Sequence, residues 1–459
     1  MHKKHYINGQ WCASIGDAVI PITNPSTGYW FDMITLGNYN DVDNAVVAAR
    51  TAFHTYSQTS INERIKLINR LYTVYKSRAN EIGELISKEM GSPITIAQSW
   101  QVEDSYTDFK NAIALFFNSK FNKFLFNNRT LYYEPIGVCG IITPWNWPIA
   151  MITETVLPAL AAGCTVVLKP SEFAPLSPMM FAECVHEAGF PAGVFNLVSG
   201  AEEAGQAVTQ HPDIDMISFI GSIETGQKVS KSAAGTLKRV VQELGGKSPV
   251  IIFDDCKDLQ HAVEKRVNNC MNNTGQNCDA PTRMLVHKDQ YNIAVDMAIT
   301  AANKIEVNYS NVKGYHMGPV VSRAQLYNIK KLIQEGVDAG ARIVAGGVDH
   351  PKHLNRGNGN FIKPTVFADV DNSMSIAQKE IFGPVLCMIP FENDDDAIRI
   401  ANDNMYKLAA YVCTNDPNRA ERTVQQLQAD VVYINDSQRT NQCEIDNFLK
   451  TKRVVNTRC

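Results

Sequence analysis

The sequence predicts an α/β protein built on parallel sheets, and three observations carry that prediction. From about Gly137 onward, short β-branched runs alternate with amphipathic stretches of helical period. No low-complexity linker and no repeat of fixed period interrupts the alternation. The length of 459 residues is enough for a large core divided among two or three domains. Repeated strand–helix–strand units of this kind put helices on both faces of a parallel sheet.

The elements follow in order. "CTVVL" (164–168) reads as a strand, and "SPMMFAECVHEAG" (177–189) as a helix closed by Gly189 and Pro191. "GVFNLVSG" (193–200) is the next strand; after a short helix, "MISFIGS" (216–222) is a strand and turn, and "ETGQKVSKSAAG" (224–235) a helix. "LKRVVQELGG" (237–246) and "PVIIF" (249–253) are strands, and "DLQHAVEKRVNNCMNN" (258–273) is a helix. The alternation resumes with a helix at 322–340, strands at 341–347 and 384–391, and a helix at 394–404. One stretch differs. "FNKFLFNNRTLYYEP" (121–135) is aromatic and β-prone, which suggests a projecting hairpin whose open edge needs a partner.

Composition narrows the function. Lys and Arg number 43 against 47 Asp and Glu, a net charge of -4 that gives no sign of a nucleic-acid partner. The start, "MHKKHYINGQW", lacks the apolar core of a signal peptide, and the longest apolar run, "VLPALAAGCTVVL", is too short to span a membrane. Eleven cysteines, an odd number with no CxxC pair, fit free thiols in a reducing compartment. The N-x-[ST] match at Asn128 then carries no weight. A cytoplasmic globular protein is expected.

Five short stretches carry chemistry. Cys278 lies in "NNTGQNCDAPTR" (272–283), where its only apolar neighbour within three positions is Ala280. A core-filling thiol fits poorly there, so the residue is either incidental or a nucleophile. "PWNWP" (144–148) brackets Asn146 with stiff prolines, which either packs a turn or aims an amide at a developing oxyanion. "LKPSE" (168–172) puts Lys169 and Glu172 beyond a strand, either in a solvated turn with Ser171 as a cap or above the sheet, where Glu172 could hold a ribose diol. Gly221 and Ser222 open a helix directly after a strand, as a pyrophosphate site requires, although no GxGxxG fingerprint is present. "ELGGKSP" (243–249) is not a P-loop, because the required earlier glycine falls at Val241. What remains is Glu243 at a strand end before a Gly-Gly turn, a common structural carboxylate or a general base.

Taken in this order, "PWNWP", "LKPSE", "FIGS", "ELGGKSP", "GQNCDAPTR" and "EIFGPV" make the chain resemble the aldehyde dehydrogenase superfamily up to about residue 436. The resemblance implies two parallel-sheet α/β domains plus a small β oligomerisation element. A cofactor domain would span 1–120 and 136–245, a catalytic domain 246–430, and the oligomerisation element 121–135 and 431–459. It also implies roles: Cys278 as nucleophile, Glu243 as general base, and Asn146 with the Cys278 amide as oxyanion hole. Lys169 and Glu172 would contact the adenosine ribose and Ser222 the pyrophosphate, while Glu380 and Phe382 would serve the nicotinamide ribose. Trp145, Gly221, Gly226 and Leu244 complete the implied cofactor set. The implied reaction oxidises an aldehyde to an acid through a thiohemiacetal and a thioester on Cys278. Glu172 favours NAD, with NADP as the alternative, and a homodimer or homotetramer is implied. No metal site is expected.

The chain also departs from the family pattern. Ile220 stands where a Thr is usual, Thr155 where a Lys is usual, and Lys407 where a Gly is usual. After "VVYIND" the family's Gly-rich "PFGG…GRE" stretch is missing, and "SQRTNQCEIDNFLKT" leads straight to a terminal strand. That loss should widen the substrate funnel and loosen Glu243. It supports a second expectation, a catalytically impaired relative acting in binding or assembly. A CoA-acylating relative is disfavoured by Glu243, which suits water activation.

Overall fold

The computed structural model describes residues 4–118, 122–125, 129–354, 357–435 and 445–455. Strands β1 (Lys4–Ile7) and β2 (Gln10–Ala13) form an opening hairpin, and β3 (Val19–Thr23) with β4 (Trp30–Thr35) a separate antiparallel ribbon. Long helices follow at Tyr39–Tyr56, Ile61–Ser77, Ala79–Glu89 and Val102–Asn118. The first two begin with capping boxes, at Asn38 with Asp41 and at Ser60 with Glu63. Next come β5 (Asn122–Leu125) and β6 (Arg129–Pro135), which pair antiparallel as the hairpin expected at 121–135; its turn lies outside the described residues.

The alternating region then builds β7 (Val138–Ile142), β8 (Thr165–Lys169), β9 (Phe195–Leu197), β10 (Met216–Gly221) and β11 (Arg239–Leu244). With the opening hairpin they make a seven-stranded sheet in the order β11-β10-β7-β8-β9-β1-β2. Strands β7 to β11 run parallel, and only β1 and β2 are antiparallel. The chain moves outward from β7 through β8 to β9, then crosses back to lay β10 on the other side of β7. The order therefore reverses between β7 and β10, the position where open α/β sheets receive ligands. Strands β7 and β8 are buried at every residue, and their side chains alternate between two cores. Cys139, Ile141, Val166 and Leu168 face one; Val138, Ile142 and Val167 face the other.

A second seven-stranded sheet comprises β12 (Pro249–Ile252), β13 (Arg283–His287), β14 (Arg342–Ala345), β15 (Thr365–Ala368), β16 (Val385–Phe391), β17 (Ala409–Cys413) and β18 (Val431–Ile434). Its order is β14-β15-β16-β13-β12-β17-β18, parallel except for β14 against β15. Both sheets are thus parallel at their centres with one antiparallel edge each, where the opening hairpin joins the first and a long loop connects β14 to β15 in the second. Strand β19 (Leu449–Val455) pairs with β6, giving a three-stranded sheet β19-β6-β5. Of the stretch "SQRTNQCEIDNFLKT" (437–451), expected in place of the Gly-rich segment, residues 437–444 lie outside the described residues. No helix among the described residues is long and apolar enough to cross a membrane.

Candidate active site

The two large sheets meet end to end. Strand β11 ends at Leu244, Gly245 and Gly246 follow, and β12 begins at Pro249. The carboxyl edge of the first sheet therefore faces the amino edge of the second. The first edge carries the 143–148 loop after β7, Lys169 at the end of β8, Gly221 at the end of β10 with Ser222 after it, and Glu243 near the end of β11. The second carries the 272–282 loop, which leads into β13, and the 380–384 turn, which leads into β16.

Cys278 is half-buried on the first of these loops. The helix Leu259–Met271 ends just before it, and Asn273, Thr274 and Gly275 take left-handed backbone at φ 51°, 60° and 69°. A β-branched residue there is strained, and such strain persists only where the surroundings over-determine it. They do so here. Thr274 Oγ1 donates to the Gly318 carbonyl at 3.1 Å, and Gln276 Nε2 donates to the Asn273 carbonyl at 3.0 Å. The Val321 N–H donates to Gln276 Oε1 at 2.9 Å, and Gln101 Nε2 donates to Asn273 Oδ1 at 3.2 Å. Gly275 has no room for a side chain, since a Cβ would collide with the Gly383 carbonyl.

The "PWNWP" loop is tied to the cysteine loop by three hydrogen bonds. Asn146 Nδ2 donates to the Gln276 carbonyl at 3.0 Å, and Asn273 Nδ2 returns a bond to the Asn146 carbonyl at 3.0 Å. Trp147 Nε1 donates to Asn277 Oδ1 at 2.8 Å. Asn146 is buried, and its Oδ1 makes no hydrogen bond among the described residues. One N–H of its amide is held by Gln276, which leaves the other to donate elsewhere.

Gly246 lies against Cys278, where a Cβ would collide with the cysteine carbonyl. A Cβ on Gly245 would collide with the Glu380 carboxylate, which also accepts the Gly246 N–H at 3.1 Å. Burial pushes the Glu380 carboxyl up to about 7, against the opposing pull of that N–H and of Lys247. Lys247 is itself buried, and burial lowers its amine. Phe382 takes φ 51° and meets Trp145 edge to face with centroids 5.4 Å apart. Cys278, Asn146, Glu380, Phe382 and Trp145 are thus brought into one neighbourhood. Glu243, three residues before Gly246, is exposed.

A second group follows the carboxyl edge of the first sheet. Lys169 is buried and its Nζ lies 3.7 Å from Glu172 Oε2. Burial lowers the Lys169 amine, partly offset by Glu172. Ser222 caps the helix Ile223–Ala234, accepting from the Thr225 N–H. Gly226 is buried in that helix, and a Cβ there would press on Leu244 Cδ2 at 2.6 Å. Sequence reasoning missed Asn273, Gln276, Trp147 and Gly246. Only the polarity of 272–277 hinted at the first two. Thr155 turns its hydroxyl back on its own helix, donating to the Met151 carbonyl at 2.7 Å.

Comparison with known proteins gives this arrangement its class. Residues 11–448 match the aldehyde dehydrogenase family. A 3-succinoylsemialdehyde-pyridine dehydrogenase of a Pseudomonas species is 41% identical over 436 residues, covering 95% of this chain and 91% of its own length. The crystal structure of an aldehyde dehydrogenase from Bartonella henselae superposes with a TM-score of 0.96 at 40% identity, covering 98% of each chain. Aldehyde dehydrogenase C of Pseudomonas syringae, solved as a cysteine-to-alanine mutant with NAD+ and octanal, gives a TM-score of 0.96 at 39% identity, over 99% of this chain and 96% of that one. The chain belongs to the aldehyde dehydrogenase family, a family of NAD(P)-dependent oxidoreductases.

The buried Glu380 carboxyl has a stability consequence. Its folded-state value of about 7 lies above the ordinary 4.5, so between those values the folded protein holds a proton that the unfolded chain has released. Stability from this group is therefore lost as pH rises through that window. Glu380→Gln should melt progressively higher than the wild type as pH is raised from about 5 to 8, measured by thermal denaturation of the cofactor-free protein.

Proposed function

We propose that this chain oxidises an aldehyde to a carboxylic acid with NAD, and that Cys278, Asn146 and Glu243 carry the chemistry. One observation supports this above the others: the Asn146 amide and the Cys278 loop form one hydrogen-bonded unit at the meeting of the two sheet edges. In this reading the Cys278 thiolate attacks the aldehyde carbon, and the new alkoxide accepts from Asn146 Nδ2 and the Cys278 N–H. The second N–H of the Asn146 amide, beside the one that Gln276 accepts, suits that task. Loss of hydride from that carbon, for which bound NAD would be the acceptor, leaves a thioester, and Glu243 takes a proton from the water that hydrolyses it, releasing the acid and restoring the thiol.

The donor set along the first sheet edge fits NAD. Ser222 opens a twelve-residue helix at the strand-order reversal, where amides and the helix dipole favour a pyrophosphate. The Lys169–Glu172 pair offers a cation and a carboxylate for a ribose diol. Gly221, Gly226 and Leu244 line this part, while Trp145, Glu380 and Phe382 would hold the nicotinamide ribose. NAD, when bound, supplies the hydride acceptor for the oxidation. Residues 1–120 and 136–245 would act as cofactor domain, 246–430 as catalytic domain, and 121–135 with 431–459 as oligomerisation element, although β18 (Val431–Ile434) lies in the second sheet. The β19-β6-β5 sheet would pair with a second copy in a homodimer or homotetramer. A reading as an impaired relative is favoured by one observation, the exposure of Glu243. It predicts thioester formation that stalls.

Three experiments test these assignments. Cys278→Ala should lower NADH production by about 10⁴-fold while NAD affinity, measured by calorimetry, stays near wild type. Retained turnover would remove the cysteine from the mechanism. Glu243→Gln should still acylate Cys278, and an acyl adduct should persist in intact-mass spectra, with turnover down by about 10²–10⁴-fold. The same adduct building up in the wild type would establish the impaired reading. NAD should be used with higher kcat/KM than NADP, because the Glu172 carboxylate repels a 2′-phosphate. Glu172→Gln should narrow that ratio, and equal use of both cofactors by the wild type would contradict the placement of Glu172.

A further inference from the structure

We infer that Trp147 is a positioning residue for the nucleophile loop, acting through the Asn277 side chain to fix the peptide between Asn277 and Cys278. The inference rests on the reading of Cys278 given above. The indole N–H donates to Asn277 Oδ1 at 2.8 Å. On its main-chain side, the Asn277 carbonyl accepts the Ala280 N–H at 3.3 Å, closing a turn around Cys278. That same peptide carries the Cys278 N–H, the second donor of the proposed oxyanion hole. Its plane is therefore held from two sides, by the side chain of Asn277 and by the carbonyl.

Trp147 can hold Asn277 because it is itself held. The residue is only 5% exposed and packs with Ala150, Met151 and Ile220. Asn146 on one side is hydrogen-bonded to Gln276, and Pro148 on the other fixes φ. Ile220, which departs from the family's usual Thr, gives the ring an alkyl surface to rest on. Ile220 is also the register partner of Glu243 between β10 and β11. The indole thus spans from the strand pair that carries the proposed base to the residue ahead of the proposed nucleophile. An oxyanion donor acts only when aimed at the place where charge develops, and small misplacements are costly.

Trp147→Phe keeps most of the apolar packing and deletes the donor. Asn277→Ala deletes the acceptor at a half-buried site, so the pair guards against a simple folding defect. With octanal as probe, each single variant should lose about tenfold in kcat, and the double variant should lose no more than either. NAD affinity and melting temperature should stay close to wild type in Asn277→Ala. The alkylation rate of Cys278 by iodoacetamide, followed by peptide mass spectrometry, should shift by one common factor in all three variants. Wild-type kcat in Trp147→Phe, or losses that multiply in the double variant, would overturn the inference. So would an unchanged alkylation rate, which reads the loop even if Cys278→Ala shows that the thiol is not the nucleophile.

Discussion

The site depends on one backbone contact, Gly246 against the carbonyl of Cys278. It is the point where the strand leaving the first sheet touches the loop entering the second. Any side chain at Gly246 would collide with that carbonyl, and any at Gly245 would collide with the Glu380 carboxylate. Two residues without Cβ atoms therefore let two sheet edges close on each other. Candidate site residues of both edges, Glu380 and Cys278 among them, are brought side by side because of it. The Gly246 N–H adds a bond to Glu380, so the same turn that makes room also fixes a buried carboxyl.

Around this contact the protein accepts strain and unsatisfied polarity. Thr274 and Phe382 hold left-handed backbone. Lys247 Nζ and Asn146 Oδ1 are buried without hydrogen-bond partners among the described residues. Each feature costs stability, by on the order of 1–3 kcal/mol for a strained residue or an unpaired polar atom. The strands behind them, β7, β8, β12 and β13, are buried at every residue and give these groups a firm support.

Two residues near the site are taken up by their own surroundings. Ile220 is absorbed by packing, since it completes the small apolar cluster with Trp147, Ala150 and Met151. Thr155 is absorbed by its own helix. Glu243 stands exposed near the end of β11. The nucleophile loop, by contrast, is braced by the hydrogen bonds of Asn273, Thr274 and Gln276.

The sequence by itself determined the layered α/β architecture, because hydrophobic period and β-branching are local properties. The strands at 164–168, 216–222 and 384–391 and the helices at 177–189, 224–235 and 258–273 all form close to where pattern and breakers place them. Local stiffness around Asn146 and the polar setting of Cys278 were equally legible, and so were the β-prone hairpin at 121–135 and the strand near the C-terminus. What only the tertiary structure decided was proximity. Nothing in the chain between residues 147 and 277 says that an indole will meet an amide across 130 positions. Nor does it say that Gly246 will serve the carbonyl of Cys278, or that Gln276 will be locked by Val321. These contacts arise because the strand order reverses beside β7 and the two sheets meet end to end. Pairwise distance is set by how layers pack, and packing is not written in any one segment.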